Sequence, residues 1–514
     1  MKLHTADDLL FSGNDWDFGM IQRIHDAVEE IARGDLGLDV YPNQIEVITA
    51  EQMLDAYASI GMPLFYKHWS FGKHFAMHDA GYRKGFMGLA YEIVINSNPC
   101  ISYIMEENTA TMQTLVIAHA AFGHNHFFKN NYLFRQWTDA DGILDYLAFA
   151  KSYVERCEEK HGHAEVERLL DAAHALMSHS VHRYPRKRRP DLRSEERRER
   201  GRQAHREQTY NDLWRTIPAK GGRDDKRLSE ERRRILFELP QENILYFLEK
   251  TAPRLQPWQR EILRIVRNIG QYFYPQRQTK VMNEGCATYC HYRIMNLLHE
   301  RGRISDGSFF EFLQSHTNVV RQPEFDERGF GGLNPYAIGF AMMRDIERIC
   351  QQPTDEDRTW FPEIAGTGDA MAVLRDTWAN YRDESFILQF LSPRLIREWR
   401  MFHLVDDPDE PELRVEAIHN ERGYRRLRQS LAREYDVART DPDIQIIDDD
   451  LAGDRRLEPQ HSVLNHILLH KEDVDQVLQH LADLWGYGVH LKEVDQAPGV
   501  LLAEHTARAR TPFW

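Results

Sequence analysis

The sequence predicts an α+β protein that is predominantly α-helical, and three observations favour this class. Apolar residues recur at helical spacing along most of the chain, two adjacent β-rich runs lie near residue 100, and short β-rich runs alternate with helical segments after residue 396. The chain has 514 residues, 42% of them hydrophobic, which is enough for several domains and at least one large core.

Composition narrows the class of protein further. The formal net charge is -15, so we expect a surface that does not bind nucleic acid. The five cysteines are scattered and odd in number, which is typical of reduced thiols. The N-terminus lacks the apolar core of a signal peptide, and no run approaches the roughly 20 apolar residues that cross a bilayer. We therefore expect a cytoplasmic protein with no membrane partner.

The N-terminal region, residues 1–182, is predicted to be helical with one β-hairpin. Two β-rich runs joined by the turn-forming Asn96-Ser97-Asn98-Pro99 predict that hairpin over residues 88–105. The predicted helices run from Asp15 to Gly34, from Glu107 to about Phe128, and from Gly142 to about His179.

Three further segments follow. Residues 183–240 are rich in Arg and Glu and poor in apolar residues, which predicts a charged insertion, exposed or disordered. Its basic run, Arg186 to Arg202, is interleaved with acids, so nucleic-acid binding there is the weakest interpretation. Residues 241–395 are predicted to form a helical core, and residues 396–514 a small C-terminal α+β domain.

Three histidines lie close together on the helix behind the hairpin: His119, His124 and His126. On a straight α-helix His119 and His124 project about 140° apart, so they cannot face one ion. A kink at Gly123 could bring them closer. The alternative is that these are partly buried core histidines without a ligand.

A second group of polar residues lies on the predicted core helix. Glu284 and His291 are two turns apart and share one face of that helix. A carboxylate and an imidazole on one face suit a divalent ion such as zinc, iron or manganese. The alternative is a buried Glu–His hydrogen bond that only joins two helices. Cys286 and Cys290 lack a second cysteine pair and are interpreted as ordinary buried thiols.

A hairpin, a His-bearing helix and a distant Glu-bearing helix together resemble a degenerate zinc-peptidase layout. In zinc peptidases two His and one Glu hold the metal, and a Glu beside the first His is the general base. Here the motif is broken, since Ala120 and Ala121 stand where the first His and the base would be. Glu106 or Glu107 is the predicted replacement for the base.

Several motifs resemble those of the stage V sporulation protein R (SpoVR) family, over nearly the whole chain. They are Ile95-Asn96-Ser97-Asn98-Pro99-Cys100-Ile101, Met105-Glu106-Glu107-Asn108, Val116 to Lys129, Tyr274 to Lys280, Met282-Asn283-Glu284-Gly285 with Ala287-Thr288-Tyr289, and Asn334-Pro335-Tyr336. One departure is that Cys286 and Cys290 stand where the family is expected to have bulky aromatic residues.

The resemblance implies a cellular context rather than a reaction. It implies a role in spore cortex formation or in stress physiology. It also implies two partners, a PrkA-type serine protein kinase and a protein with a von Willebrand-like domain.

The leading hypothesis is a metal-binding protein with a divalent ion, zinc by preference, on His119, His124, Glu284 and His291, and hydrolysis is its candidate reaction. Arg277 and Lys280 are predicted to hold an anionic substrate group. The competing hypothesis is a non-catalytic regulatory or scaffold protein that works with the kinase, and the broken peptidase motif favours it.

Overall fold

The computed structural model describes most of the chain. The described residues are 9–58, 64–70, 73, 77, 92–183, 239–325, 327, 331–405, 411–412, 414–416, 420–450, 453–464, 467–496, 499–510 and 513. Residues 184–238, nearly all of the predicted charged insertion, and residues 88–91, the start of the predicted hairpin, therefore lie outside the described residues.

The chain divides into two compact units, each assembled from two separate stretches of sequence. The first unit contains Met1–Arg156 and Tyr272–Thr440, and the second contains Cys157–Gln271 and Asp441–Trp514. The residues predicted to carry chemistry all belong to the first unit.

The described residues form helices with a few short strands, which confirms the predominantly helical α+β class. In the N-terminal part the elements are α1 (Phe18–Gly34), β1 (Asn43–Ile48), α2 (Ala50–Ala58), β2 (Glu92–Ile95), β3 (Cys100–Met105), α3 (Ala110–Val116), a π-helix (Ile117–His124), α4 (Asn125–Asn130), α5 (Tyr132–Trp137), α6 (Ile143–His161), α7 (His163–Ala175) and a 3-10 helix (Met177–His179).

The remaining elements continue the same pattern until strands return near the C-terminus. They are α8 (Ile244–Thr251), α9 (Pro257–Gln278), α10 (Lys280–Glu300), α11 (Asp306–Val319), α12 (Pro335–Gln351), α13 (Asp355–Trp360), α14 (Ala370–Asn380), α15 (Asp383–Phe390), α16 (Pro393–Glu398), β4 (His403–Val405), β5 (Arg414–Glu416), α17 (Glu421–Glu434), α18 (Val437–Thr440), β6 (Ile444–Asp448), β7 (Glu458–Val463), α19 (Lys471–Trp485), β8 (Val489–Asp495) and β9 (Leu501–Ala507).

One predicted helix is two helices in the structure. The segment expected to run unbroken from Gly142 to His179 is divided into α6 and α7 at Gly162, whose φ is +91°. That left-handed backbone is open to glycine and ends the α-helical hydrogen bonding, so the prediction of one continuous helix was wrong.

The predicted hairpin forms part of a three-stranded sheet. β2 pairs antiparallel with β3, with Ile95 opposite Ile101, and β1 adds in parallel on the other side of β3. Ile93 and Met105 pack against α2, and Ile95, Ile101 and Ile104 are buried. β2 therefore lies at one edge of this sheet, next to the π-helix in the packed structure.

Helices of the first unit are stabilised by caps at their N-termini and by burial of their apolar residues. α1 begins at Asp17, whose carboxylate accepts from the Met20 amide, and it buries Ile24, Val28 and Ile31. α10 is buried on nearly all sides, as expected for a helix at the middle of a bundle. Its N-terminus is capped by the buried Asp383, which accepts from the Val281 and Met282 amides.

Glycines let three helices approach until their backbones touch. A Cβ added at Gly123, in the π-helix, would lie 2.5 Å from the Ala287 Cα of α10. A Cβ at Gly339, in α12, would lie 2.3 Å from the Val281 carbonyl oxygen and 2.8 Å from the Gly285 Cα, both in α10. No side chain fits at these contacts, so the π-helix and α12 are both held directly against α10.

The C-terminal strands of the second unit form a four-stranded sheet in the order β6-β7-β8-β9. β7 and β8 are parallel, and the other pairs are antiparallel. Glu493 of β8 is fully buried and accepts hydrogen bonds from His461 Nδ1 at 2.9 Å, His505 Nε2 at 2.8 Å and the Leu469 amide at 3.0 Å. These contacts fully satisfy a buried carboxylate within the sheet.

Among the helices of the described segments, none combines the length and the apolar character required to span a bilayer.

We expect a Gly339→Ala substitution to destabilise the protein by at least about 2 kcal/mol, because the new methyl group would meet the rigid backbone of α10. Gly34→Ala is the matched control, since a Cβ at the end of α1 meets nothing within 4 Å. That change should be neutral or slightly stabilising through helix propensity. Denaturant unfolding of both variants measures the difference, and equal midpoints would contradict the proposed close contact.

Candidate metal centre

The two histidines that a straight α-helix would separate lie on a π-helix. Residues Ile117–His124 are all buried, and the His119 and His124 rings are 4.6 Å apart and nearly perpendicular. Hydrogen bonds in a π-helix join residues five apart, so side chains five apart project to the same side. The wide turn of the π-helix, and not a kink at Gly123, brings His119 and His124 together. Gly123 instead permits the close contact with α10.

Both imidazoles face the same carboxylate on α10. Glu284 Oε2 lies 3.8 Å from His119 Nε2 and 3.6 Å from His124 Nε2. These residues are separated by about 160 positions in the sequence, and the close contact of the π-helix with α10 brings them together. The structure thus joins three of the four predicted metal ligands.

A fourth donor, Glu92, was not predicted from the sequence. Its Oε1 lies 3.6 Å from His119 Nε2, and the ligand atoms of Glu92, His119 and His124 all lie within 4.8 Å of one another. Glu92 is the first residue of β2, the edge strand. The signal for it was a single carboxylate in the otherwise apolar run from Leu89 to Ile95.

The outer ring nitrogens of the two histidines are already occupied. His124 Nδ1 lies 2.9 Å from Asn283 Oδ1, an acceptor only, so Nδ1 carries the proton and Nε2 is left as a lone pair. His119 Nδ1 is in hydrogen-bonding contact with His291, and the His119 ring also contacts the Ala287 backbone. Such contacts are typical of histidines that bind a metal, because they fix the tautomer and the orientation of the ring.

The structure does not bring His291, the fourth predicted ligand, to the atoms of the other three that face one another. Its Nδ1 lies 2.9 Å from His119 Nδ1, and its Nε2 lies 2.9 Å from His316 Nδ1. Both of its nitrogens are therefore engaged away from Glu284. His291 orients His119, and His316, which was not among the predicted site residues, orients His291 in turn.

The other predicted site residues lie on the surface. Glu106 and Glu107 are exposed, and Glu107 Oε1 accepts from the Ala50 amide at 3.3 Å. Among the described residues, no hydrogen bond or ion pair joins either carboxylate to His119 or His124. Arg277 and Lys280, at the junction of α9 and α10, are exposed as well.

The buried charges of the cluster shift one another's pKa values. Burial raises the pKa of Glu92, although His119 opposes the rise. Burial also acts to raise the pKa of Glu284, but His124, His119 and the Tyr336 hydroxyl outweigh it, so the pKa of Glu284 is lowered. Burial acts to lower the pKa of His119, but Glu284 and Glu92 outweigh it and raise that pKa. Burial lowers the pKa of His124 to about 4.

The spacing of these donors suits an ion better than it suits hydrogen bonds. At 3.6 to 3.8 Å the His–Glu contacts exceed hydrogen-bond length, and the buried Glu284 Oε2 has no hydrogen-bond partner in the described structure. A tetrahedral ion with bonds of about 2.0–2.2 Å holds its donors about 3.3–3.6 Å apart. The Glu493 site shows the contrast, because there His–carboxylate distances are 2.8 and 2.9 Å.

The two cysteines of α10 take no part in this cluster. Cys286 and Cys290 are fully buried, and burial raises the pKa of the Cys286 thiol, which keeps it protonated.

Among the described residues, one more group places three donors within 4.8 Å, at His25, Asp26 and Glu29. It is on the surface and lacks the buried, oriented imidazoles of the first cluster.

Comparison with known proteins identifies relatives of the whole chain. A family model described as SpoVR like protein matches residues 15–440, and one described as SpoVR-like C-terminal domain matches residues 442–496. The chain is 51% identical over 495 residues to a protein of Escherichia coli (strain K12) named Uncharacterized protein YcgB, and the match covers 96% of both chains. No solved structure matches the chain.

In protein treated with a chelator, we expect Glu284→Gln to lower the pKa of His119, because the substitution removes the first carboxylate that favours its imidazolium. The folded-state pKa of His119 is raised, so its contribution to stability is present below pH 6.5 and is lost as pH rises through that raised pKa. The substitution should flatten this loss. Histidine NMR titration and unfolding against pH measure both effects.

The exposed Glu106→Gln is the control for that experiment, and it should leave the His119 titration unchanged. An unaltered pKa of His119 in the Glu284 variant would show that the carboxylate and the imidazole do not interact.

Proposed function

The chain belongs to the SpoVR family, and we propose that it is a metal-dependent hydrolase whose divalent ion is held by His119, His124 and Glu284. The observation that carries this proposal is the unsatisfied Glu284 Oε2 between two oriented imidazole nitrogens. A purely structural network would pair that oxygen at hydrogen-bond distance, as happens at Glu493. A divalent cation supplies the missing partner.

Zinc is the ion that we propose. Two imidazoles and one carboxylate are a common catalytic zinc set, and they leave the fourth coordination position open for water or substrate. Zinc binding would also stabilise the buried negative charge of Glu284 on α10. Iron(II) and manganese(II) accept the same donors, so metal analysis decides among them.

Glu92 is proposed as the general base in place of Glu106 and Glu107. It approaches the cluster from β2, whereas the proposed ligands lie on the π-helix and α10, and its Oε1 lies 3.6 Å from His119 Nε2. When bound, the metal would lower the pKa of water and polarise a carbonyl oxygen. Glu92 would take one proton from the attacking water while the water oxygen bonds to the substrate carbon. It would then deliver that proton to the leaving group as the bond between the substrate carbon and the leaving group breaks.

The setting that we propose follows the family resemblance, namely sporulation or stress physiology beside a PrkA-type serine protein kinase and a von Willebrand-like domain protein. A regulatory or scaffold role in the same system is the competing function. Glu106 and Glu107 are exposed, and the scaffold is favoured if neither they nor Glu92 acts as a base.

Protein purified without a His-tag should contain stoichiometric zinc, and His124→Ala and Glu284→Ala should lose it, because each removes a proposed ligand. Glu107→Gln should retain the metal, since its carboxylate is exposed and contacts the Ala50 amide. Elemental analysis and thermal unfolding of each variant provide the test. A folded wild-type protein that takes up no zinc, iron or manganese would overturn the proposal.

Glu92→Gln should retain zinc but lose hydrolysis by about 100- to 10,000-fold, as expected for removal of a general base. Cleavage of a peptide library and of chromogenic esters by the zinc-loaded protein is the measurement. Glu46→Gln is the matched control, because Glu46 lies on β1, on the other side of β3 in the same sheet, and contacts Gln44. A zinc-loaded wild type without turnover would favour the scaffold.

A further inference from the structure

A tyrosine outside the proposed ligand set lies beside the metal centre. The Tyr336 ring is nearly parallel to the His119 ring, at an angle of 17° and a centroid distance of 6.3 Å. Its hydroxyl makes a polar contact with the Glu284 carboxylate. Tyr336 belongs to the Asn334-Pro335-Tyr336 motif, so this motif reaches the cluster directly.

The backbone of Tyr336 is fixed at the start of α12. Asn334 Oδ1 accepts from the Tyr336 amide at 3.0 Å, and Asn334 Nδ2 donates to the Val319 carbonyl at 2.8 Å and to the Arg321 carbonyl at 3.1 Å. α12 is itself locked to α10 through Gly339 and Gly285. The phenol is therefore presented by the same rigid helix contact that positions Glu284.

Tyr336 is one of the more exposed members of the cluster. The His119 and His124 side chains are only 5% and 8% exposed, whereas Glu92 and Glu284 are 16% and 17% exposed, and Tyr336 is half-buried. The carboxylates and the phenol are therefore more accessible to a ligand than the imidazoles are. Among these accessible groups, Tyr336 supplies a neutral hydroxyl donor.

We propose that the Tyr336 hydroxyl donates a hydrogen bond to the oxygen of a carbonyl-containing ligand bound at the open position of the metal, and so selects amide or ester substrates. This inference rests on the proposed function. Both carboxylates nearby disfavour negative charge on a substrate oxygen, and a hydrogen-bond donor at that oxygen would offset this effect where charge develops on a substrate carbonyl. A phenol can turn from Glu284 to that oxygen by rotation of its O–H alone, without movement of the ring.

Tyr336→Phe tests this role without a known substrate, because it keeps the ring against His119 and removes only the hydroxyl. The protein is loaded with cobalt(II), whose visible spectrum reports its ligands, and is titrated with acetohydroxamate, which presents a charged oxygen to the metal. Acetohydroxamate affinity, compared at saturating cobalt, should fall about 10- to 100-fold in the variant. Cobalt affinity is measured separately, because the hydroxyl also contacts Glu284. Tyr381→Phe, a half-buried tyrosine that packs on Phe390, should change neither value.

Three results would overturn the inference in distinguishable ways. If Tyr336→Phe weakens cobalt binding and leaves acetohydroxamate affinity unchanged, the hydroxyl only orients Glu284. If acetohydroxamate binds equally to the wild type and to the variant at equal cobalt affinity, the hydroxyl does not meet the ligand, although the metal site stands. Failure of the folded wild type to bind cobalt would remove the proposed function and this inference together.

Discussion

The arrangement depends on one contact, the backbone-to-backbone approach of the π-helix and α12 to α10. Gly123, Gly285 and Gly339 make it possible, because a Cβ at Gly123 or Gly339 would meet the backbone of α10 at 2.5 Å or less. At that distance, short side chains such as Glu284 and the His119 and His124 imidazoles reach one point. Wider spacing would separate the donors, and the polar cluster would become a set of unpaired buried groups.

The polar residues around this contact form layers with different tasks. The inner layer consists of side chains whose donor atoms face one another: His119, His124, Glu284 and Glu92. In the outer layer, Asn283 contacts His124 Nδ1, His291 contacts His119 Nδ1, and His316 contacts His291 Nε2. Because the outer contacts are at 2.9 Å and the inner ones at 3.6 to 3.8 Å, the network is closed on the outside and incomplete at its centre. That difference distinguishes the cluster from the satisfied Glu493 site, where burial alone explains the hydrogen bonds.

Local sequence patterns predicted much of the framework. Apolar spacing predicted α1, turn residues predicted the β2–β3 pair, and clustered polar side chains on predicted helices indicated His119, His124 and Glu284. The same reasoning failed where the geometry is not the standard one. It assumed α-helical spacing across Ile117–His124, continued one helix through Gly162, and assigned His291 to the metal because it shares a face with Glu284.

The sequence by itself determined the helical class, the family resemblance and the kinds of donor available, because these depend on composition, periodicity and residue identity. Only the tertiary structure decided which donors meet. Glu92 joined the cluster through the position of an edge strand, and His291 left it because His316 and His119 occupy its nitrogens. Helix type and helix contact set these outcomes. Hydrogen bonds between residues five apart in place of four apart, or a Cβ at Gly339, would each move side chains by ångströms. Residue spacing along the sequence does not predict such shifts.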